Sequence, residues 1–167
     1  MAATQEQVLE QWFRDKGGYL HPSISICHNT TAGTHWRATQ KIEPGTLVSN
    51  VPHTFAFSYL NALVDERFPV FQKYRASFKV EAIGFFYLVA QYNAQSSFWK
   101  PYLDTLPKPT DEWTTPFWFD DPEDIAWLEG TDVWHTCLAR KAVHETYHQS
   151  CIETLARAGV PTELYTW

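Results

Sequence analysis

The sequence predicts an α+β fold, a small β unit leading into a larger helical one. Two changes of texture carry that expectation. Between Ser23 and Phe57 the residues alternate or are β-branched, whereas after Ser58 the pattern turns helical and stays so to Ala158. Composition supplies the third observation. Aromatics make up 16% of the 167 residues, eight of them Trp, and charged residues only 19%, so the chain can build a core and does not read as disordered.

The elements follow in order. Thr4 with Gln7 forms a capping box that opens a short helix, and Gly17-Gly18 ends it; Val8, Leu9, Trp12 and Phe13 share one face of that helix and must pack on something. Ser23-Ile24-Ser25-Ile26 alternates, and Thr46 to Val51 is rich in β-branched residues, so both read as strand. Between them Glu43-Pro44-Gly45-Thr46 is a turn, with proline presetting φ and glycine accepting positive φ. Phe78 to Gln95 is apolar nearly all round, which predicts a buried helix. The block Ser97 to Pro107, SFWKPYLDTLP, packs three aromatics and two prolines into eleven residues and predicts an aromatic-anchored corner. Asp121 as N-cap, Pro122 at the first position and the acids Glu123 and Asp124 start a further helix that Gly130 interrupts. A long helix then runs from about Asp132 to Ala158, stopped by Gly159 and Pro161. No internal repeat or low-complexity linker separates these parts.

Charge and cysteine usage exclude several classes. A net charge of −6 without a basic tract disfavours nucleic acid and suits a basic, lysine-rich protein partner. Cys27, Cys137 and Cys151 form no CxxC pair and leave an odd count, which favours a reducing compartment. Residues 1 to 20 carry no basic region followed by an apolar run, and Ala82 to Ala90 is far too short to span a bilayer. The expectation is a soluble intracellular protein, cytoplasmic or nuclear, with no membrane partner. No Ser-His-Asp pattern, phosphate loop or dinucleotide fingerprint is present.

Three constellations invite a chemical reading. His144-Glu145-Thr146-Tyr147-His148 matches HExxH: on a helix the two histidines fall one turn apart and could share a zinc ion, with Glu145 as general base and Cys151 on the same face. Against a metallopeptidase stands the company of that face (Val133, Cys137, Tyr147, Leu155), which reads as helix packing, and the scarcity of chain left to supply a distant ligand. Trp99, Trp113, Trp118, Trp127 and Trp134 could cage a methylated amine, but their spread favours packing. Asp120 and Asp121 could be paired carboxylates, although a helix cap explains Asp121.

Asn29 to Thr39, NTTAGTHWRAT, holds a glycine turn that physics alone reads as a hairpin or as a place where backbone approaches a ligand. With Gln40 to Leu47 (QKIEPGTL), Val51-Pro52, the Gly17 to Pro22 run, the SFWKPYLDTLP block and DPEDIAWLEGT at Asp121 to Thr131, it resembles the SET-domain protein methyltransferases of the Rubisco large-subunit methyltransferase-like class. The resemblance runs from about Gly17 to Trp167, and the aromatic-proline block is its most specific motif.

The resemblance implies the N-terminal β part of a SET domain, with residues 1–60 holding the first helix and the β region. Residues 61–167 would form a mostly α-helical SET insert, truncated before the C-terminal SET motifs. It implies a parent activity of methyl transfer from S-adenosylmethionine to a protein side-chain nitrogen, typically lysine, so the partner is a lysine-bearing protein substrate. Carried over position by position, Ala32, Gly33, Thr34 and His35 would contact the cofactor through the main chain. His35 stands where the family has a second glycine, and a positive φ there would weaken binding. The family's Asn-His pair and its tyrosine segment do not occur in these residues. An inactive fragment with weak or absent cofactor binding, marginal stability or self-association is therefore expected. A non-catalytic protein-binding module is the alternative reading.

Overall fold

The computed structural model describes residues 3–108 and 122–166. The elements run α1 (Gln5–Asp15), β1 (Tyr19–Leu20), β2 (Ile24–Asn29), β3 (Gly33–Ala38), β4 (Ser49–Asn50), α2 (Tyr59–Val64), α3 (Val70–Lys73), α4 (Val80–Asn93), α5 (Lys100–Leu103), α6 (Pro122–Ala126) and α7 (Asp132–Arg157). The mix of helix and small sheets is the expected α+β class. They fall into two units: one holds the chain up to Phe57 together with Ser96 onward to residue 108, the other Ser58–Gln95 and residues 122–166.

In the first unit α1 opens on the expected capping box. Gln7 N–H donates to Thr4 Oγ1 at 3.3 Å and Thr4 N–H to Gln7 Oε1 at 3.0 Å. It closes on Gly17 at φ +84°, with Gly18 N–H donating to Phe13 O and Gly17 N–H to Arg14 O, the paired bonds of a Schellman ending. β2 and β3 form an antiparallel hairpin in register from Ile24 opposite Ala38 to Asn29 opposite Gly33. β1 and β4 make a separate two-residue ladder.

The strand expected over Thr46 to Val51 shrinks to Ser49–Asn50. β-Branching favours a pleated surface but a strand needs a partner backbone, and β1 offers only Tyr19 and Leu20. The turn before it forms as read: Thr46 N–H donates to Glu43 O at 3.2 Å and Gly45 sits at φ +81° behind Pro44.

The aromatic-proline block supplies the core of this unit. Trp99 and Leu103, at the two ends of the short helix α5, are 5% and 3% exposed. The Trp99 ring meets Phe57 edge-on at 5.1 Å and lies 6.2 Å from Trp12, the latter on the apolar face of α1. Burying a tryptophan among rings contributes about 2–3 kcal/mol of transfer energy, with further gain from edge-to-face geometry.

In the second unit Ser58 and Asn61 cap α2, with Ser58 N–H donating to Asn61 Oδ1 at 2.7 Å. Ala82, Ile83, Phe86, Tyr87, Ala90 and Gln91 of α4 are buried, a single face at helical spacing. The helix is not buried all round: Phe85 and Tyr92 are more than half exposed. Apolarity on every side does not create neighbours on every side. Gly130, at φ +80°, separates α6 from α7 as expected, and Thr131 caps α7 by accepting from Trp134 N–H at 3.3 Å. α7 ends with Gly159 at φ +73° and Val160 N–H bonded to Leu155 O, a second Schellman ending. The Asp121 cap lies outside the described residues.

A polar anchor in this unit was not legible in the sequence. Asp65, just after α2, accepts from Arg67 Nε (2.9 Å), Arg67 Nη2 (2.7 Å), Arg67 N–H (3.0 Å), Tyr87 Oη (2.8 Å) and Gln91 Nε2 (2.8 Å). Hydrogen bonds from Arg67, then Tyr87, hold its carboxyl down to about 2 against the opposing effect of burial. The fully buried Gln91 and Tyr87 of α4 are thereby tied to the loop that follows α2.

Candidate functional site

The site read from the sequence is the tip of the β2–β3 hairpin. Three residues, 30–32, close it, and Asn29 Oδ1 accepts from Thr31 N–H at 3.0 Å and Ala32 N–H at 2.7 Å. Gly33 follows at φ +61°, a left-handed backbone position that favours glycine. It is buried within the hairpin.

Ala32, Gly33, Thr34 and His35 are thus one continuous turn and strand start, but their side chains part. The register puts Thr34 opposite His28 on the face shared with Ile26 and Trp36, and His35 opposite Cys27 on the other face. Thr34 Oγ1 donates to the backbone carbonyl of Thr105 at 3.2 Å and lies 3.3 Å from His28 Nδ1. His35 Nδ1 lies 2.9 Å from the carbonyl oxygen of Gly33; a carbonyl only accepts, so Nδ1 carries the proton.

His35 is extended within β3, and no described non-glycine residue has positive φ. The backbone cost expected at His35 therefore does not arise. What its ring does instead is occupy the Gly33 carbonyl, while the Ala32 N–H is spent on Asn29. The turn's polar groups are largely satisfied within the turn. Across the hairpin His28 faces Thr34 and His35 faces Cys27.

The Ile26 and Trp36 face of the hairpin borders a cavity of about 350 Å³, walled also by Trp12, Phe55, Phe57 and Trp99. Its lining is apolar and aromatic, with indole N–H groups and the Tyr102 hydroxyl as the polar side-chain atoms, and none of Ala32 to His35 lines it. It does not offer the polar partners that a nucleoside requires.

The HExxH residues do other work. His148 Nε2–H donates to the Tyr165 carbonyl at 2.6 Å and its ring lies 5.6 Å from Phe86; His144 meets Phe85 edge-on at 5.8 Å. Burial pushes the Cys151 thiol up to about 11, which holds it in the protonated form that ligates poorly. Among the described residues no three His, Cys, Asp or Glu are grouped as a metal ion would need. A zinc ion does not fit this helix as it stands.

The tryptophans are equally dispersed in role. Trp99 belongs to the core of the first unit, Trp127 in the second is 86% exposed, and Trp134 is half-buried near the start of α7. Trp113, Trp118, Asp120 and Asp121 lie outside the described residues. Cys27, Cys137 and Cys151 are all free thiols. No described helix is long and apolar enough to cross a membrane.

Comparison with known proteins places the fold. The chain superposes on the structure of Rubisco LSMT bound to AdoMet with a TM-score of 0.73 and 17% identity, over 99% of this chain and 37% of that one. The SET domain of LSMT bound to MeLysine and AdoHcy gives a TM-score of 0.72 and 18% identity, over 99% and 36%. The resemblance read from the sequence therefore holds for the fold. In sequence the chain is 26% identical over 145 residues to an actin-histidine N-methyltransferase of Callithrix jacchus, covering 84% of this chain and 22% of that protein. The corresponding protein of Homo sapiens is 26% identical over 131 residues, covering 76% and 21%. The chain spans about a fifth of the length of these curated relatives. No family model matches it.

Proposed function

We propose that these residues supply the leading part of an S-adenosylmethionine-dependent protein methyltransferase, with the turn at Ala32, Gly33, Thr34 and His35 as its cofactor contact. The observation that carries the reading is the fold likeness over 99% of the chain to methyltransferase structures described as bound to AdoMet or AdoHcy, at TM-scores of 0.73 and 0.72. The hairpin tip supports it, since a glycine at positive φ stands at the turn that the resemblance assigns to the cofactor. The cofactor, when bound, supplies an electrophilic sulfonium methyl group. This chain's own contribution is to bind and orient by main-chain contact at Gly33.

The acceptor in this reading is a side-chain nitrogen of a protein, lysine by the resemblance, with the histidine named for the curated relatives as the competing acceptor. Transfer needs a deprotonated nitrogen held in line about 3 Å from the methyl carbon, so positioning and exclusion of water supply most of the catalysis. No group among the described residues at the tip is placed to do that. Because the Asn-His pair and tyrosine segment that the resemblance implies do not occur in residues 1–167, these residues on their own are expected to bind cofactor weakly and to turn over nothing.

Titration calorimetry of the 167-residue chain with S-adenosylhomocysteine tests the reading. Weak saturable binding that Gly33→Val abolishes, with the circular dichroism spectrum retained, is the expected result. Absence of binding at millimolar ligand would remove the turn as a cofactor contact. Tritiated S-adenosylmethionine with candidate proteins, followed by mass spectrometry of the modified peptide, separates lysine from histidine. Sustained turnover by these residues alone would overturn the expectation of inactivity.

A further inference from the structure

Thr34 and Thr105 lie 71 positions apart in sequence and meet at the hairpin tip. The Thr105 carbonyl is not placed by chance. Trp99 and Leu103 anchor α5 in the core, and Thr105 closes the last turn through its N–H and its Oγ1, both bonded to Tyr102 O at 3.0 and 2.7 Å. This leaves the Thr105 carbonyl as a fixed acceptor facing β3. On the hairpin side, the Thr34 hydroxyl donates its only proton to that carbonyl, so the contact with His28 Nδ1 at 3.3 Å has nitrogen as donor and hydroxyl as acceptor. The three groups form a directed chain from β2 through β3 to the segment after α5.

We infer that Thr34 is a positioning residue, whose clasp to Thr105 holds the cofactor turn in its binding geometry. The aromatic-proline block therefore serves the site as well as the core: it is the rigid post to which the turn is tied. The inference rests on the proposed cofactor role of this turn. At 3.2 Å the bond is long for a hydroxyl and a carbonyl, so the effect is severalfold rather than a hundredfold.

The test compares Thr34→Val, which keeps shape and removes the hydroxyl, with Thr34→Ser, which keeps the hydroxyl. Amide hydrogen exchange is followed in a peptide spanning residues 28–37, and S-adenosylhomocysteine affinity by calorimetry, both in the 167-residue chain. Thr34→Val should exchange faster in that peptide and bind about three- to tenfold more weakly, the loss expected of one hydrogen bond. Thr34→Ser should restore both. Unchanged exchange in Thr34→Val would overturn the clasp. Faster exchange with unchanged affinity would overturn its positioning role. If the unaltered chain binds no S-adenosylhomocysteine, the cofactor reading of the turn fails and positioning with it, while exchange still reports whether the clasp exists.

Discussion

Replacing Asp65 with asparagine probes the polar anchor of the second unit, and the structure sets the size of the effect. The carboxylate oxygens accept from Arg67, Tyr87 and Gln91, and each of these groups presents a hydrogen to it. Asparagine has one acceptor oxygen and one NH2 group, so either orientation sets a donor against a donor. With the carboxyl held at about 2 against an ordinary 3.8, and the Asp65 side chain only 12% exposed, the linkage is worth about 2–3 kcal/mol. A depressed folded-state value means that this stability is fully present above about pH 4 and is lost as pH falls through about 2. Asp65→Asn should therefore cost about 2–3 kcal/mol at neutral pH, and the gap to the parent should close as both are acidified. Urea unfolding followed by far-ultraviolet circular dichroism, repeated at several pH values, reads both quantities, since most of the helix belongs to the second unit. A neutral-pH loss below about 0.5 kcal/mol, or acid limbs that run parallel in the two proteins, would refute the assignment of the depressed carboxyl to Asp65.

Other perturbations follow from single features. Thr4→Ala removes the cap of α1 and should cost about 1 kcal/mol in the same denaturation assay; no change would mean that the capping box does not hold in solution. Gly159→Ala meets no atom within 4 Å, so only the backbone at φ +73° resists it, and a lowering of stability by about 1 kcal/mol is expected, with a gain counting against the left-handed ending of α7. His35→Gly frees the Gly33 carbonyl and should tighten S-adenosylhomocysteine binding about fivefold; equal or weaker binding would show that the ring does not compete with the ligand.

What the sequence revealed of this chain depends on how far apart the partners lie. Thr4 with Gln7, Pro44-Gly45 and Gly130 act within a few residues, and each forms the turn or cap that local chemistry dictates. Where the outcome depends on a distant partner, pattern alone misleads. Val51 favours a strand, yet β1 pairs only with Ser49 and Asn50, and Phe85 and Tyr92 make α4 look wholly buried although both are more than half exposed. The HExxH spacing is correct for zinc, but the Tyr165 carbonyl, 17 residues on, takes the proton of His148 Nε2 and so fixes that ring for another purpose. Asp65 has Arg67 two residues on, but the partners that tie it to α4, Tyr87 and Gln91, are 22 and 26 residues away and leave no local signal.

The hairpin tip shows the same division at the scale of one site. Its position and its glycine are legible because a three-residue loop closed by Asn29 and Gly33 is local chemistry. The behaviour of His35 is not, since residue type alone assigned its effect to backbone strain. The strand keeps φ negative, and the effect lies in the ring's bond to the Gly33 carbonyl. Thr34 acts in the opposite sense, holding the turn in place from a carbonyl that only the folded corner can supply. Under the proposed function, cofactor affinity is then a balance between neighbouring residues, one tying the turn and one occupying it. Neither contribution can be read from a glycine motif.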